Sequence, residues 1–263
     1  MVDLTAQLGL TQPTVSHHVK ELTAEQLLVR LPEGRNAWYS VPPDRVDVVD
    51  RTLGIGPRRA VTDETLERVV DDLGTRFAGR FNRPTIEAVV QESRTLLERR
   101  PDGARTLTSQ VARFATERLE ALGRPDVGDR IGPPEVLFVC VQNAGRSQLA
   151  AAILRHLAGD AVRVRTAGSL PAGEVRESVV AVLDEIGVAL DGEFPKPLTD
   201  DAVRSADIVI TMGCGDVCPV YPGRRYLDWE LADPVGLPLA RVREVRDEID
   251  ARVRSLLASM NIR

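Results

Sequence analysis

A cysteine, an arginine and a serine near the middle of the chain have the types and spacing of a nucleophilic oxyanion-binding loop. Cys140 ends a short apolar run, a small and polar loop follows at residues 141–145, and Arg146 and Ser147 open an amphipathic segment. Backbone N–H groups of such a loop and of a helix N-terminus favour both a bound anion and an ionised sulfur. Arg146 supplies a planar fork for two oxyanion oxygens, and Ser147 can donate a hydrogen bond to the thiolate. The pattern predicts attack of a cysteine on phosphate or a close mimic.

The predicted oxyanion cradle consists of the six residues that follow Cys140. They are Val141, Gln142, Asn143, Ala144, Gly145 and Arg146. A cysteine and an arginine at this spacing also fit a buried structural thiol beside a surface arginine. The catalytic interpretation is favoured because Cys140 is predicted at the carboxyl end of a buried strand, and open α/β sheets bind ligands at that edge.

The two remaining cysteines, Cys214 and Cys218, form a second candidate constellation. They follow another predicted buried strand, so their loop is expected at the same sheet edge as Cys140. Such a pair could ligate zinc, but a tetrahedral site needs more ligands nearby and the chain has 3 His in total. Inert core cysteines are the other alternative. A disulfide relay is favoured because Gly213 and Gly215 supply the mobility that it requires, and no metal site is predicted.

A third candidate residue is Asp233, which precedes Pro234 on a loop after a predicted strand. An Asp-Pro dipeptide by itself indicates only a turn. At this edge of the predicted sheet, the carboxyl group could lie over the cradle and act as general acid to a leaving oxygen.

Alternation of strand-like and helix-like segments predicts the element that holds these residues together. The predicted strands span residues 136–140, 162–166, 207–211 and 225–227, and the predicted helices span 146–157, 175–186 and 239–260. This order is typical of a four-stranded parallel sheet flanked by helices, so the chain is expected to be a multi-domain α/β protein.

Residues 60–124 are predicted to form a three-helix bundle with helices at 62–80, 84–99 and 107–122. Apolar residues recur at helical spacing in each helix, and Pro- and Gly-containing segments separate them. The bundle contains no catalytic constellation and is expected to space or dimerise the flanking parts. A Gly- and Pro-rich linker at 123–134 precedes the catalytic domain, 135–263.

Residues 1–59 are predicted to form a winged helix, which is a helix-turn-helix followed by a β-hairpin. Gly9 marks the turn, Pro13 an early position of the second helix, and residues 32–36 the hairpin turn, with Arg35 at its tip.

Composition limits the class of protein. The chain has 263 residues, a net charge of −5 and 43% hydrophobic residues, which suggests two or three domains. It has no run long enough to span a membrane, and its start lacks the features of a secretion signal. The 3 Cys are clustered and odd in number, which favours reduced, reactive thiols. We therefore expect a cytoplasmic protein.

The first region resembles the DNA-binding half of the arsenical-resistance repressor family through residues 8–18, Leu22, Gly34, Arg35 and Tyr39. The resemblance implies that the major groove is read by Gln12, Thr14, Ser16 and His17 and that phosphates are bound by His18, Lys20 and Arg35. The family's preceding helices and paired cysteines are missing here. A thiolate-based arsenite sensor in this region is therefore excluded, and a truncated packing module is the alternative to operator binding.

Residues 135–260 resemble thioredoxin-coupled arsenate reductases of the low-molecular-weight tyrosine phosphatase superfamily. Residues 60–124 resemble a helical domain found ahead of actinobacterial-type arsenate reductases. The resemblance implies Cys140 as nucleophile, Asn143, Arg146 and Ser147 as loop residues, Cys214 and Cys218 as relay, and Asp233 as general acid. Ala151 replaces the carboxylate of a potassium site found in some members, so that site is not predicted.

The implied function is reduction of arsenate to arsenite, with no bound cofactor and with thioredoxin or a similar thiol reductant as electron donor. A homodimer and an operator DNA are further expected partners. Two alternatives remain open: a low-molecular-weight tyrosine phosphatase, which needs no cysteine pair, and a DNA-binding regulator that carries a reductase-like domain. The net charge of −5 gives no support for broad nucleic-acid affinity.

Overall fold

A computed structural model describes residues 5, 11–33, 36–42, 61–100, 107–125, 132–190, 192–213 and 218–260. The chain forms two compact units, Met1–Ala60 and Val61–Arg263. In these described ranges, no helix combines the length and apolarity that a membrane crossing requires.

The first unit contains one described helix followed by an antiparallel hairpin. Helix α1 spans Gln12–Ala24, and strands β1 and β2 span Val29–Glu33 and Asn36–Ser40. Thr11 is the N-cap of α1. Proline occupies the first turn of this helix, as predicted. Of the helix expected before Gly9, only Thr5 is among the described residues, and it is helical.

The hairpin differs from its prediction at Pro32. The register pairs Pro32 with Ala37 and Glu33 with Asn36, so Pro32 lies in β1 rather than in the turn. A two-stranded hairpin tolerates proline because each strand is an edge strand whose outer N–H groups need no ladder partner. Residues 34 and 35 lie outside the described residues, so the predicted position of Arg35 at the hairpin tip stays a prediction.

The second unit begins with the three predicted helices. Helix α2 spans Asp63–Arg76, α3 spans Arg83–Glu98 and α4 spans Thr108–Leu122. The Thr62 hydroxyl accepts a hydrogen bond from the N–H of Thr65, which caps α2. The apolar stripes of the three helices meet in one core, which Phe194 of the α/β part also joins.

The α/β part contains a four-stranded sheet in the order β4-β3-β5-β6, parallel throughout, which confirms the predicted sheet. Its strands are β3 (Glu135–Cys140), β4 (Arg163–Gly168), β5 (Ile208–Met212) and β6 (Arg225–Asp228). Its helices are α5 (Arg146–Ala158), α6 (Glu177–Asp184), α7 (Asp200–Ser205) and α8 (Leu239–Ser259). Helix α7 was not predicted, because its six residues are too few to show helical periodicity.

The register of the central strands positions the loop that follows β3. Cys140 lies opposite Gly168 of β4 on one side and Met212 of β5 on the other. Because the strands are parallel, the segments after β3, β4 and β5 all leave the same edge of the sheet. This edge therefore collects the predicted active-site loops.

The helical segment packs onto the α/β part partly through buried charges. The ammonium group of Lys196, a residue only 1% exposed, donates to both carboxylate oxygens of Glu117 on α4 at 2.9 Å and to Glu193 at 3.2 Å. Arg113 and Arg155 also pair with Glu193. Burial raises the pKa of the Glu193 carboxyl, but the charges of Lys196, Arg155 and Arg113 outweigh burial and hold this pKa below its ordinary value. Glu193 is therefore ionised, and the contact is electrostatic as well as apolar.

This arrangement makes Lys196 a strong determinant of stability. We expect Lys196→Met to lower the free energy of unfolding by about 3 kcal/mol, because Glu193 and Glu117 lose a buried cationic partner. Urea denaturation of the full chain, followed by circular dichroism, measures this change.

The matched control is Arg254→Met, which removes an exposed cation paired with Asp250 on α8. We expect an effect below about 0.5 kcal/mol, since exposed ion pairs contribute little. Equal effects of the two substitutions would show that the Lys196 contacts do not hold the helical segment in place.

Candidate active site

The carbonyl groups of the loop between β3 and α5 all accept hydrogen bonds from the surrounding structure. Six consecutive carbonyls, from Cys140 to Gly145, accept hydrogen bonds at 2.9–3.2 Å from groups outside residues 140–145. The donors are the backbone N–H groups of Ser169, Leu170, Ala172, Arg176 and Leu149 and the side-chain amide of Gln148. A trans peptide plane points N–H opposite to C=O, so the N–H groups of this loop face the concave side. This geometry suits the binding of an anion.

The thiol of Cys140 lies at the floor of that concavity and is 2% exposed. The backbone N–H of Asn143 donates to the sulfur at 3.2 Å, and the Ser147 hydroxyl oxygen is 3.0 Å from the sulfur. The same hydroxyl oxygen accepts a hydrogen bond from the side-chain amide of Asn143 at 2.8 Å. With its lone pair engaged in this way, the Ser147 hydroxyl is oriented to donate its own hydrogen to the sulfur.

Asn143 holds the loop in its shape. Its φ of +49° lies in the left-handed region, which non-glycine residues seldom adopt but which asparagine tolerates better than most. Its side-chain carbonyl oxygen accepts from the backbone N–H of Lys196 at 2.8 Å and from the Thr166 hydroxyl at 3.3 Å. Residues on several elements therefore stabilise one strained turn.

The cradle arginine meets the predicted general acid. Arg146 donates to a carboxylate oxygen of Asp233 at 2.8 Å and to the carbonyl of Leu231 at 3.4 Å. The Arg146 side chain is 9% exposed, whereas that of Asp233 is 49% exposed. A Cβ at Gly145 would lie 2.8 Å from Cγ of Pro234, so the Asp233 loop packs tightly over the cradle only because Gly145 has no side chain.

The segment after β5 also contacts the cradle. Gly213 has a φ of +70°, and a Cβ there would lie 2.8 Å from Nη1 of Arg146. Cys214 follows directly and lies outside the described residues. Cys218 is half-buried against a cluster that contains Leu137 and Val139, whereas Cys140 belongs to the cluster on the other face of β3. The described part of the chain thus brings together Cys140, Arg146, Ser147 and Asp233, and the closeness of Cys214 stays a prediction.

Several residues that shape the site gave no sequence signal. The most important are Lys196, Thr166, Gln148 and Arg176, whose guanidinium donates to the Gln142 side chain at 2.6 Å. Gly168 carried a weak hint, because a glycine just after the predicted strand 162–166 can mark a place where another backbone segment approaches closely. A Cβ there would lie 2.7 Å from the carbonyl oxygen of Val141.

The predicted DNA-contacting residues lie mainly on the surface of α1. Gln12, His17, His18 and Lys20 are exposed, and Thr14 and Ser16 are half-buried. Glu21 is 3.3 Å from His17 and 3.8 Å from His18, which places an acidic group on the same face. Across the described ranges, no three His, Cys, Asp or Glu side chains converge on a point where a metal ion could be held.

Comparison with known proteins identifies both parts of the second unit. The family model for low molecular weight phosphotyrosine protein phosphatase matches residues 135–263. A second model, protein-tyrosine-phosphatase-like, N-terminal domain, matches residues 66–123. The helical segment is thus a recognised companion of phosphatase-like domains.

Individual relatives agree with this result. A putative arsenate reductase of Halobacterium salinarum is 41% identical over 129 residues, which are 47% of this chain and 91% of that protein. A glutaredoxin arsenate reductase of Synechocystis is 31% identical over 130 residues, or 48% of this chain and 98% of that protein.

A solved structure extends the similarity to the helical segment. The thioredoxin-dependent arsenate reductase of Corynebacterium glutamicum is 44% identical, with a TM-score of 0.68, and the match covers 76% of this chain and 98% of that one. Such coverage exceeds what residues 135–263 alone could provide. The chain therefore belongs to the low-molecular-weight phosphotyrosine phosphatase family and, within it, to the arsenate reductases.

Proposed function

We propose that this chain reduces arsenate to arsenite, with thioredoxin or a similar thiol as electron donor. The observation that carries the proposal is the position of the Cys140 sulfur, 3.2 Å from the Asn143 N–H at the floor of a cradle where Arg146 meets Asp233 at 2.8 Å. Two relatives of more than 40% identity are described as arsenate reductases, which supports arsenate rather than a phosphate ester as the substrate.

In the first step, the Cys140 thiolate attacks arsenate. The inward-facing N–H groups and the Arg146 guanidinium bind the arsenate oxygens, so Arg146 exchanges part of its contact with Asp233 for the anion. A sulfur–arsenic bond forms and an arsenic–oxygen bond breaks. The departing oxygen takes a proton from Asp233, whose half-exposed carboxyl group can exchange protons with solvent.

In the second step, the Cys214 thiolate attacks the Cys140 sulfur. A disulfide forms between them, the sulfur–arsenic bond breaks, and its electron pair stays on arsenic, which leaves as arsenite. The contact between Gly213 and Arg146 supports this step, because it brings the chain to the cradle one residue before Cys214.

In the third step, Cys218 attacks the Cys214 sulfur, which releases the Cys140 thiolate and leaves a Cys214–Cys218 disulfide. A dithiol such as thioredoxin then reduces that disulfide. The packing of Cys218 against the sheet face opposite to Cys140 supports an indirect route, in which Cys214 carries the oxidation from one face to the other.

The relay predicts a difference between single and multiple turnover. With thioredoxin, thioredoxin reductase and NADPH, the wild-type chain is expected to consume NADPH only when arsenate is added. Cys140→Ser should give no arsenite, and Cys214→Ser should release at most one equivalent, because the oxidising equivalents can no longer reach the reductant.

Alkylation of Cys140 by iodoacetamide, and its protection by arsenate, serves as the folding control for Cys214→Ser. Undiminished multiple turnover by Cys214→Ser would contradict the relay. Hydrolysis of aryl phosphates without arsenate-dependent NADPH consumption would instead identify a phosphatase.

The general-acid role predicts a selective kinetic defect. Asp233→Asn should slow formation of the first arsenate adduct in single-turnover experiments by about 10²–10⁴-fold, because the leaving oxygen loses its proton donor. Arsenate affinity should not weaken, since Arg146 loses a competing carboxylate. Glu230→Gln, an exposed acidic residue three positions earlier, is the matched control and should react at the wild-type rate. An adduct rate for Asp233→Asn within twofold of wild type would remove Asp233 from the mechanism.

We further propose that the first unit binds duplex DNA. Helix α1 exposes Gln12, His17, His18 and Lys20 and is followed by an antiparallel hairpin, which is the order of a recognition helix and a wing. A homodimer, as the sequence predicts, would offer two such helices to a palindromic site.

Fluorescence anisotropy with duplexes from the protein's own promoter region tests this binding. We expect Lys20→Gln to weaken it and to reduce its salt dependence, because a phosphate contact is lost, and Arg254→Gln on α8 to have no effect. Binding that is the same for both variants, or that does not depend on salt, would refute a role for α1.

A further inference from the structure

A cavity of about 710 Å³ lies in the second unit, away from the catalytic loop. Residues of α2, α4, the end of α5 and the start of β4 line it. None of its lining residues belongs to the cradle, to the Asp233 loop or to the segment around the relay cysteines. We refer to it as the arginine cavity, and the mechanism proposed above makes no use of it.

The charge of the arginine cavity is strongly positive. Seven arginines line it, against three glutamates, in a chain whose net charge is −5. Converging guanidinium groups repel one another, so such a cluster is stabilised by anionic partners.

The lining carboxylates are already shared. Glu193 pairs with Arg113, Arg155 and Lys196. Each of the other two also binds two cations. Glu120 binds Arg76 and Arg165, and Glu117 binds Lys196 and Arg113. Glu135 and Asp207, which do not line the cavity, pair with Arg165 and Arg124. Among the described residues, two lining arginines are then left without an acidic partner.

Two of the lining guanidinium groups stand out. Arg80 and Arg163 are exposed, and within the ranges that the structure describes neither forms an ion pair with a carboxylate. Arg80 lies over the Phe77 ring at 5.8 Å from its centroid and donates to the carbonyl of Gly123 at 2.8 Å, which fixes its position at the cavity wall. Both groups have donors left for a ligand.

Deeper in the cavity, Arg124 and Arg165 are held rigidly. Their side chains are each 9% exposed, Arg124 pairs with Asp207 at 2.8 Å, and Arg165 pairs with Glu135 at 3.1 Å. These ion pairs fix the two guanidinium groups in the deeper wall but also neutralise them, so the positive charge available to an anion lies mainly at Arg80 and Arg163.

Size and chemistry together define the occupant. A volume of about 710 Å³ matches ligand pockets of drug-sized molecules and is far larger than one tetrahedral oxyanion needs. Arginine forks recognise phosphate oxygens two at a time. Phe77 and Val164 add an apolar part to the lining. We propose that the arginine cavity binds a small molecule that carries two or more phosphate groups, of the size of a nucleoside polyphosphate.

Isothermal titration calorimetry with ATP and with inorganic tripolyphosphate tests the proposal. The full-length chain carries Arg146→Ala, so that the catalytic cradle does not contribute to binding. We expect one site of micromolar affinity that weakens as salt concentration rises. Adding Arg80→Gln and Arg163→Gln should raise Kd by about tenfold or more, because two charge-assisted contacts are lost.

The matched control adds Arg241→Gln and Arg254→Gln, two exposed arginines of α8 that do not line the cavity, and should leave Kd unchanged. Thermal midpoints of all variants verify that each is folded. Equal affinity for ATP and tripolyphosphate identifies the phosphate chain as the recognised group, and tenfold tighter binding of ATP identifies a nucleoside polyphosphate. Failure of both ligands to bind at low salt, or equal Kd values for the two double substitutions, would overturn the proposal.

Discussion

The loop that follows Cys140 depends on one backbone constraint, the left-handed conformation of Asn143. This conformation costs about 1 kcal/mol or more for a non-glycine residue, and the surrounding hydrogen bonds must supply that energy. The Asn143 side chain satisfies four groups at once: the Ser147 hydroxyl, the Thr166 hydroxyl, the Lys196 N–H and the Gln148 amide. In return, the turn aims the Asn143 N–H at the Cys140 sulfur. Glycine would adopt the same φ without strain, but it would leave these four groups without their shared partner.

The same constraint connects the catalytic loop to the helical segment. Lys196 donates its backbone N–H to Asn143 and its ammonium group to Glu117 of α4, so one residue joins the strained turn to the layer behind it. Because the lysine is almost completely buried, both contacts lie in a region of low effective dielectric and resist screening by salt. Helix α4 therefore contributes, through Glu117 and Lys196, to the shape of the loop that follows Cys140.

How far the sequence predicts this structure depends on how local each feature is. The start of α5 and the alternation of four parallel strands with helices follow from patterns of a few residues, and both predictions are confirmed. Asp233 was predictable only as an Asp-Pro turn at the right sheet edge, and the structure places its carboxylate beside Arg146.

The contacts of Lys196 could not be predicted in this way. Its partners Asn143 and Glu117 are 53 and 79 positions away, and no local pattern distinguishes a buried lysine from an exposed one. The prediction of a turn at Pro32 was wrong for a related reason. Proline occurs in edge strands as well as in turns, so the residue type alone does not distinguish them.

The buried charges also limit how this architecture can change over evolutionary time. The Halobacterium salinarum relative aligns over less than half of this chain, yet the alignment includes 91% of that protein. In this chain, deletion of the helical segment would remove Glu117 and Glu120 and leave Lys196 and Arg165 each short of a countercharge. Because the buried Lys196 pairs with Glu117 of α4, loss of the helical segment would require compensating substitutions in residues 135–263. The two parts are therefore expected to be retained together.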